Sequence, residues 1–268
     1  MKIGVCASVE KAALIKRLGF DYVEPALNQL ATMEEETFDR LTALLLETGI
    51  AAESFNNFFP GDTVLYAPDG DQAPLLAAVE GYAEKCFARA AAWGGKIAVI
   101  GSGWVRKIPE GMSREEADGQ FARVLAVCGA VAERYGMRVV VEPLSFNECN
   151  YIHTVEEAAG LAALSGHPAV GVNIDFYHHA KNGDDLASLP MNGRYLWHAH
   201  IAHPADRKAP KAEDGDLLCA YAQMLTYCSL VDRISLECGW GEDYEAELGE
   251  AASVMEIFRS VRAEMGGE

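Results

Sequence analysis

Four ionisable residues close strongly apolar runs in the second half of the chain. Glu142 follows Val139-Val140-Val141, and Asp175 follows Val170-Gly171-Val172 by three residues. His200 lies just beyond Tyr195-Leu196-Trp197, and Glu237 ends Ser235-Leu236-Glu237. A charged group at the end of an apolar strand is costly unless it is paired or bound to a metal. Three carboxylates and one imidazole make an oxygen-rich, mixed N/O donor set. Such a set suits Mn²⁺, Mg²⁺ or Co²⁺, accepts Zn²⁺, and lacks the thiolates of a soft-metal site. Any one of these residues, taken alone, is equally well a salt-bridged carboxylate or a hydrogen-bonded core histidine. Four neighbouring strands each contributing one ligand point instead to one divalent metal ion. His198 and His200 are two apart and face the same side of a strand. His200, nearer the strand's C-terminal end, is the expected ligand, with His198 one layer below as support.

The elements that must position these residues follow from periodicity. Short apolar runs predict strands at Lys2–Ala7, Phe20–Glu24, Ile50–Phe55, Lys96–Gly101, Met137–Glu142, Ala169–Asp175, Tyr195–Ile201 and Val231–Glu237. Between them lie segments of helical spacing. Residues 74 to 93 place Leu75, Val79, Tyr82, Cys86 and Ala90 on one face, and residues 121 to 135 repeat the pattern. Thr154 and Glu157 read as a capping box. The strands are apolar on both faces, as parallel strands covered by helices are. Eight units over 268 residues average about 33 residues each, the size of a βα repeat. The predicted fold is therefore α/β, a single (β/α)8 TIM barrel over residues 1–268, with its active site at the C-terminal ends of the strands. An open doubly wound sheet is disfavoured because no Gly-x-Gly-x-x-Gly turn follows the first strand.

The motifs around these strand ends resemble the sugar isomerase/epimerase family with a xylose-isomerase-like barrel, which includes ketose 3-epimerases of the tagatose and psicose type. Glu142-Pro143-Leu144 with Glu148, the stretch from Asn173 to His178, His198-Ala199-His200-Ile201-Ala202 with Arg207, and Ser235-Leu236-Glu237 carry the resemblance. Gly101-Ser102-Gly103 with Arg106, Pro109 and Gly111 is similar to the family's strand-four loop. The resemblance implies metal ligands Glu142, Asp175, His200 and Glu237, with Glu142 and Glu237 also the catalytic acid/base pair. It implies that Glu148, His178 and Arg207 contact substrate oxygens and places Arg106 beside the substrate; an alternative for Arg207 is a surface pair with Asp206 or Asp214. Trp104 and other strand-end aromatics (Phe55, Phe58, Phe59, Trp240) would wall a sugar face, or else pack the barrel rim. The chain departs from the family at Ser145-Phe146, where Asn-Arg is usual, at His153, and in the spacing from His200 to Arg207. These departures leave the ligand set intact and bear on the substrate.

Moving a proton at a carbon next to a carbonyl creates an enediolate, whose charge a divalent ion stabilises as a Lewis acid. Carboxylates on opposite sides of that carbon would invert it, which is epimerisation. One carboxylate acting from a single side would give aldose–ketose isomerisation, and expulsion of a hydroxyl would give dehydration. The expected function is a metal-dependent isomerase or epimerase of a keto sugar. The alternatives are a lyase or dehydratase on a keto-sugar, inosose or 3-keto-glycoside, and a non-catalytic sugar-binding or assembly subunit.

Composition excludes other classes. With 40 Asp and Glu against 22 Lys and Arg, the formal charge is -18, which argues against a nucleic-acid partner. A barrel endonuclease would also need histidines on early strands, and the first histidine is His153. No apolar run suits a membrane span, and the apolar start is broken by Glu10 and Lys11 before it resembles a signal peptide. Seven scattered cysteines without a CxxC pair read as reduced thiols. The expectation is a cytoplasmic enzyme with a small-molecule carbohydrate substrate, open to pairing as a homo-oligomer through its outer helices.

Overall fold

The computed structural model describes residues 1–266 apart from 69 and 229. Eight parallel strands form one sheet: β1 Lys2–Cys6, β2 Tyr22–Glu24, β3 Ser54–Phe55, β4 Ile97–Ile100, β5 Arg138–Val141, β6 Val170–Asp175, β7 Leu196–Ile201 and β8 Arg233–Leu236. Their hydrogen-bonded order is β2-β1-β8-β7-β6-β5-β4-β3. The ends of that order meet at a parallel bridge between Tyr22 and Ala51, where Val23 N–H donates to the Ala51 carbonyl at 3.1 Å. The sheet is thus a nearly closed (β/α)8 barrel. The main departure from the predicted strands is at β3, which is two residues long where Ile50–Phe55 was expected. Upstream of it Ala52 N–H donates to the Trp93 carbonyl in the loop before β4, so the ladder is local there.

The principal outer helices are α1 Ala12–Arg17, α2 Leu27–Thr32, α3 Glu35–Thr48, α4 Ala73–Ala92, α5 Arg114–Arg134 and α6 Val155–Ser165. They continue with α7 Phe176–Asn182, α8 Ser188–Met191, α9 Gly215–Tyr227 and α10 Tyr244–Glu264. Helix α5 begins seven residues before the expected segment, because Ser113 Oγ accepts the Glu116 N–H and starts the helix there. Among the described residues no helix is long and apolar enough to cross a membrane.

The predicted capping box forms at α6, with Thr154 Oγ1 accepting from Glu157 N–H at 3.1 Å and the Glu157 carboxylate accepting from Thr154 N–H. Thr154→Ala removes one orphan-donor partner and is expected to destabilise the protein by about 1 kcal/mol. A thermal melt should register that as a Tm lower by about 2–4 °C; an unchanged Tm would show that the cap contributes nothing.

Alternation along the strands decides what fills the barrel. Val139 and Val141 join the large apolar core, whereas Val140 packs with Ile97, Val99 and Trp197 in a separate cluster on the other face. Glu142, two residues beyond Val140, continues that inner face toward the barrel mouth. Two glycines admit rings at the lower levels. A Cβ on Gly171 would overlap the Trp197 indole, and one on Gly4 would overlap the Tyr22 ring. The interior is therefore packed below, and polar side chains occupy its C-terminal end.

Candidate active site

β5, β6, β7 and β8 are consecutive neighbours, so residues at their C-terminal ends converge. One ligand-capable atom each from Glu142, Asp175, His200 and Glu237 lies within 4.8 Å of the others, and the group could hold a metal ion. His200 Nδ1 is 2.9 Å from Glu142 Oε1 and 3.4 Å from Glu237 Oε2. Asn173, on the same face of β6 as Asp175, donates from Nδ2 to Glu142 Oε1 at 2.8 Å. Asp175 is also the N-cap of α7: Oδ1 accepts from His178 N–H at 3.0 Å, while Oδ2 is buried and has no hydrogen-bond partner. A buried, partnerless carboxylate oxygen beside two more carboxylates and an imidazole is a donor set that fits a hard or borderline dication.

The electrostatics of the cluster are uneven. Burial, and then the neighbouring charges of Glu142 and Glu237, push the Asp175 carboxyl up to about 6 against the opposing pull of His178. Burial acts on Glu142 in the same sense, but the hydrogen bond and charge of His200 outweigh it and hold Glu142 down to about 2. The two carboxyls, in one cavity, are thus shifted in opposite directions. Burial disfavours the imidazolium of His200, yet the carboxylates of Glu24 and Glu237 prevail and raise it well above the usual histidine range.

Glu24, at the end of β2, is the functional-site residue that the sequence reading passed over. It is fully buried and accepts from His200 Nε2 at 2.8 Å and from His198 Nε2 at 2.9 Å. Ser54 and Ser235 donate to the same carboxylate. The signal was present, since Glu24 closes an apolar strand as Glu142 does. His198 takes the expected supporting place, sharing the Glu24 carboxylate with His200. Cys6, Glu24 and His200 form a second group whose donor atoms lie close enough for a metal. Burial pushes the Cys6 thiol well up, which disfavours the thiolate that a metal needs.

The expected substrate contacts divide. Glu148 and Arg207 stand at the mouth: Arg207 donates to Glu148 Oε1 at 3.1 Å and to Glu237 Oε2 at 3.4 Å, and its guanidinium lies over the Tyr177 ring. The alternative pairing with Asp206 or Asp214 is not formed: Asp206 accepts from the Lys208 N–H and lies 3.0 Å from His203 Nδ1, and Asp214 accepts from the Lys211 N–H. Arg207 has φ 58°, a left-handed conformation held by bonds to His203 and Gly239 on either side. Such strain in a non-glycine residue concentrates at functional sites.

His178 is buried. Its Nδ1 accepts the Ser145 N–H at 3.2 Å, which leaves the ring proton on Nε2, an atom with no hydrogen-bond partner, 3.9 Å from Glu148 Oε2. It is the backbone N–H of residue 145, rather than its side chain, that sets the His178 tautomer, and Phe146 packs on His153 with ring centroids 4.1 Å apart. The Arg106 side chain has no exposed surface; Nη1 donates to the Ile100 carbonyl, while Nε and Nη2 are buried without a hydrogen-bond partner. Trp104, by contrast, is 73% exposed. Phe55 and Phe58 are fully buried core residues that form no part of a sugar wall.

Gly101, just beyond β4, abuts the cluster, because a Cβ there would overlap Glu142 Oε2. Gly101→Ala must displace that carboxylate. The expected result is a loss of about 10²-fold in kcat/KM with little change in Tm, since a misplacement of about 1 Å costs that much. Activity within twofold of wild type would mean that Glu142 is not held as drawn.

Comparison with known proteins agrees with this architecture. A family model described as xylose isomerase-like TIM barrel matches residues 12–248. The chain is 29% identical over 201 residues to the 3-dehydro-D-guloside 4-epimerase of Escherichia coli (strain K12), covering 72% of this chain and 73% of that protein. Among solved structures, 3-keto-D-glucoside 4-epimerase from E. coli superposes with a TM-score of 0.74 at 24% identity, over 98% of this chain and 99% of that one. D-Psicose 3-epimerase from Clostridium cellulolyticum H10, solved with D-tagatose, gives a TM-score of 0.80 at 18% identity over 98% and 99%. The IolI protein, solved with a bound zinc atom, gives 0.66 at 20% over 98% and 99%.

Proposed function

Since the chain belongs to the xylose isomerase-like TIM barrel family, we propose that it is a divalent-metal-dependent epimerase of a keto sugar or keto-sugar derivative. One observation carries the reading: three carboxylates and an imidazole converge from four adjacent strands, with a buried Asp175 oxygen left without a partner. Glu142, Asp175, His200 and Glu237 would hold the ion. When bound, it supplies Lewis-acid stabilisation of the negative charge that develops on the sugar's carbonyl and neighbouring hydroxyl oxygens.

The protein groups do the rest. Glu142 and Glu237 face the reacting carbon from two strands; one removes the proton beside the carbonyl and the other delivers a proton to the opposite face. Each such contribution is typically worth about 10²–10⁴ in rate. The His178 Nε2–H is a fixed donor for a substrate hydroxyl, and Arg207 and Glu148 hold further oxygens at the mouth. The names of the relatives, a 3-dehydro-guloside and a 3-keto-glucoside epimerase, favour inversion beside a ring ketone.

The test is incubation of keto sugars and 3-keto-glycosides in D₂O with Mn²⁺, read by NMR. Deuterium entering the carbon beside the carbonyl together with a new epimer is expected. Loss of water or of an aglycone would replace this reading with a lyase, and exchange without an epimer would show proton removal without inversion. In parallel, metal analysis should find about one ion per chain in wild type and much less in Asp175→Ala; equal occupancy in both would sink the ligand assignment.

A further inference from the structure

The barrel mouth continues sideways into a cleft of about 470 Å³. It begins at Gly101 and Glu148, beside the carboxylate cluster, and runs across the ends of β2, β3 and β4 to Asn28, Asn57, Phe59 and Trp104. Its size falls within the roughly 300–1,000 Å³ of small-molecule sites.

The chemistry of the walls is specific. Trp104 presents an indole that is 73% exposed, with the Lys107 ammonium 4.6 Å from the ring centroid. Phe59 forms a buried floor. Asn28 Oδ1 is a buried acceptor with no hydrogen-bond partner, which normally costs about 1–3 kcal/mol and calls for a donor. The first turn of α2, which carries it, is tied to the loop after β3: Asn28 N–H donates to the carbonyl of Asn57, a residue at φ 48°, at 3.1 Å. The described lining residues include no Lys or Arg, and the cations beside them are engaged, Lys107 over the Trp104 ring and Arg207 with Glu148. Aromatic planes together with amide acceptors are how proteins take up sugar rings, through C–H faces and hydroxyl donors.

We propose that this cleft is a subsite for a second sugar unit, so that the substrate is a keto-glycoside of disaccharide size whose oxidised ring reacts at the carboxylates. The inference rests on the epimerase reading of the neighbouring cluster. It adds the substrate's size and places the recognition of its second ring on Asn28 and Trp104.

The experiment compares a 3-keto-β-disaccharide, methyl 3-keto-β-glucoside and 3-keto-glucose as substrates of the metal-loaded enzyme. Wild type should prefer the disaccharide by about tenfold or more in kcat/KM, the value of one ring stacked and one acceptor satisfied. Trp104→Ala and Asn28→Leu should each remove most of that preference, lowering the disaccharide's kcat/KM far more than the methyl glycoside's. Equal kcat/KM for disaccharide and methyl glycoside in wild type, or equal losses on all three substrates in the variants, would overturn the subsite. If no keto sugar is turned over, the epimerase reading fails, and binding decides the cleft separately. Cellobiose quenching intrinsic tryptophan fluorescence at lower concentration than glucose, with the difference lost in Trp104→Phe, supports a two-ring site; identical titrations overturn it.

Discussion

Glu237→Gln and Glu142→Gln are each expected to lower kcat by about 10²–10⁴, the usual worth of a positioned proton-transfer group. Glutamine keeps the shape and an oxygen that can still meet a dication, but it cannot take up a proton. The two changes should differ in their side effects. Glu142 is buried and receives bonds from Asn173 and from His200 Nδ1. Both bonds end on Oε1, so the amide oxygen would keep them and leave an N–H₂ at the Oε2 position, where it cannot meet a dication; metal retention should weaken as well as kcat. Glu237 is partly exposed at the mouth and is touched by Arg207 at 3.4 Å, so its variant should retain metal more fully. Solvent deuterium exchange without net epimerisation in one variant would show which carboxylate serves which face. Full activity in both would end the two-carboxylate mechanism.

Glu24 gives the second large effect. Its carboxylate is the shared acceptor for His198, His200, Ser54 and Ser235 in a place with no solvent. Glu24→Leu leaves these donors buried without an acceptor. Breaking a buried ionic network from one side costs about 3–5 kcal/mol, so soluble yield and the urea midpoint should both fall sharply. Glu24→Gln is the discriminating change, because it keeps the packing. A metal-binding histidine relies on a partner at its other nitrogen to fix ring orientation and basicity, and losing that partner typically costs 10–100-fold in affinity. Mn²⁺ affinity in Glu24→Gln should fall by about that factor while the melt changes modestly. Wild-type affinity in that variant would show that Glu24 serves the fold alone.

Legibility in the sequence varied by level. The eight strands could be read because parallel strands covered by helices carry uninterrupted Val and Ile runs, as at Val139-Val140-Val141. β3 is shorter than expected because Ile50 to Glu53 makes only isolated bonds, to Val23 of β2 on one side and to Trp93, Lys96 and Ile97 on the other; hydrogen-bond partners across a seam leave no trace in local composition. Helix starts were legible where a capping box announced them, at Thr154 and Glu157, and missed at Ser113, where helical periodicity emerges only two turns later. Of the residues that the structure brings together, Glu142, Asp175, His200 and Glu237 were legible because each interrupts an apolar strand. Glu24 interrupts one too, but it stands on a three-residue strand far from the histidine-rich segment, and nothing local links it to residues about 175 positions away.

The sequence by itself determined the repeat, the parallel barrel and the identity of the strand-end donors, because periodicity and the cost of burying charge are properties of short segments. It also set the acidity: with a net charge of -18, the three carboxylates at the strand ends are a small, buried part of a largely solvated excess. Only the tertiary structure decided how those donors face one another. Barrel closure brings β2 around to β1 and β8, setting Glu24 against His200 and aligning four strand ends so that one Asp175 oxygen is left without a partner. Closure also forms the cleft between the β2, β3 and β4 loops. These are contacts between distant segments, set by packing and register, and no window of the sequence contains both partners.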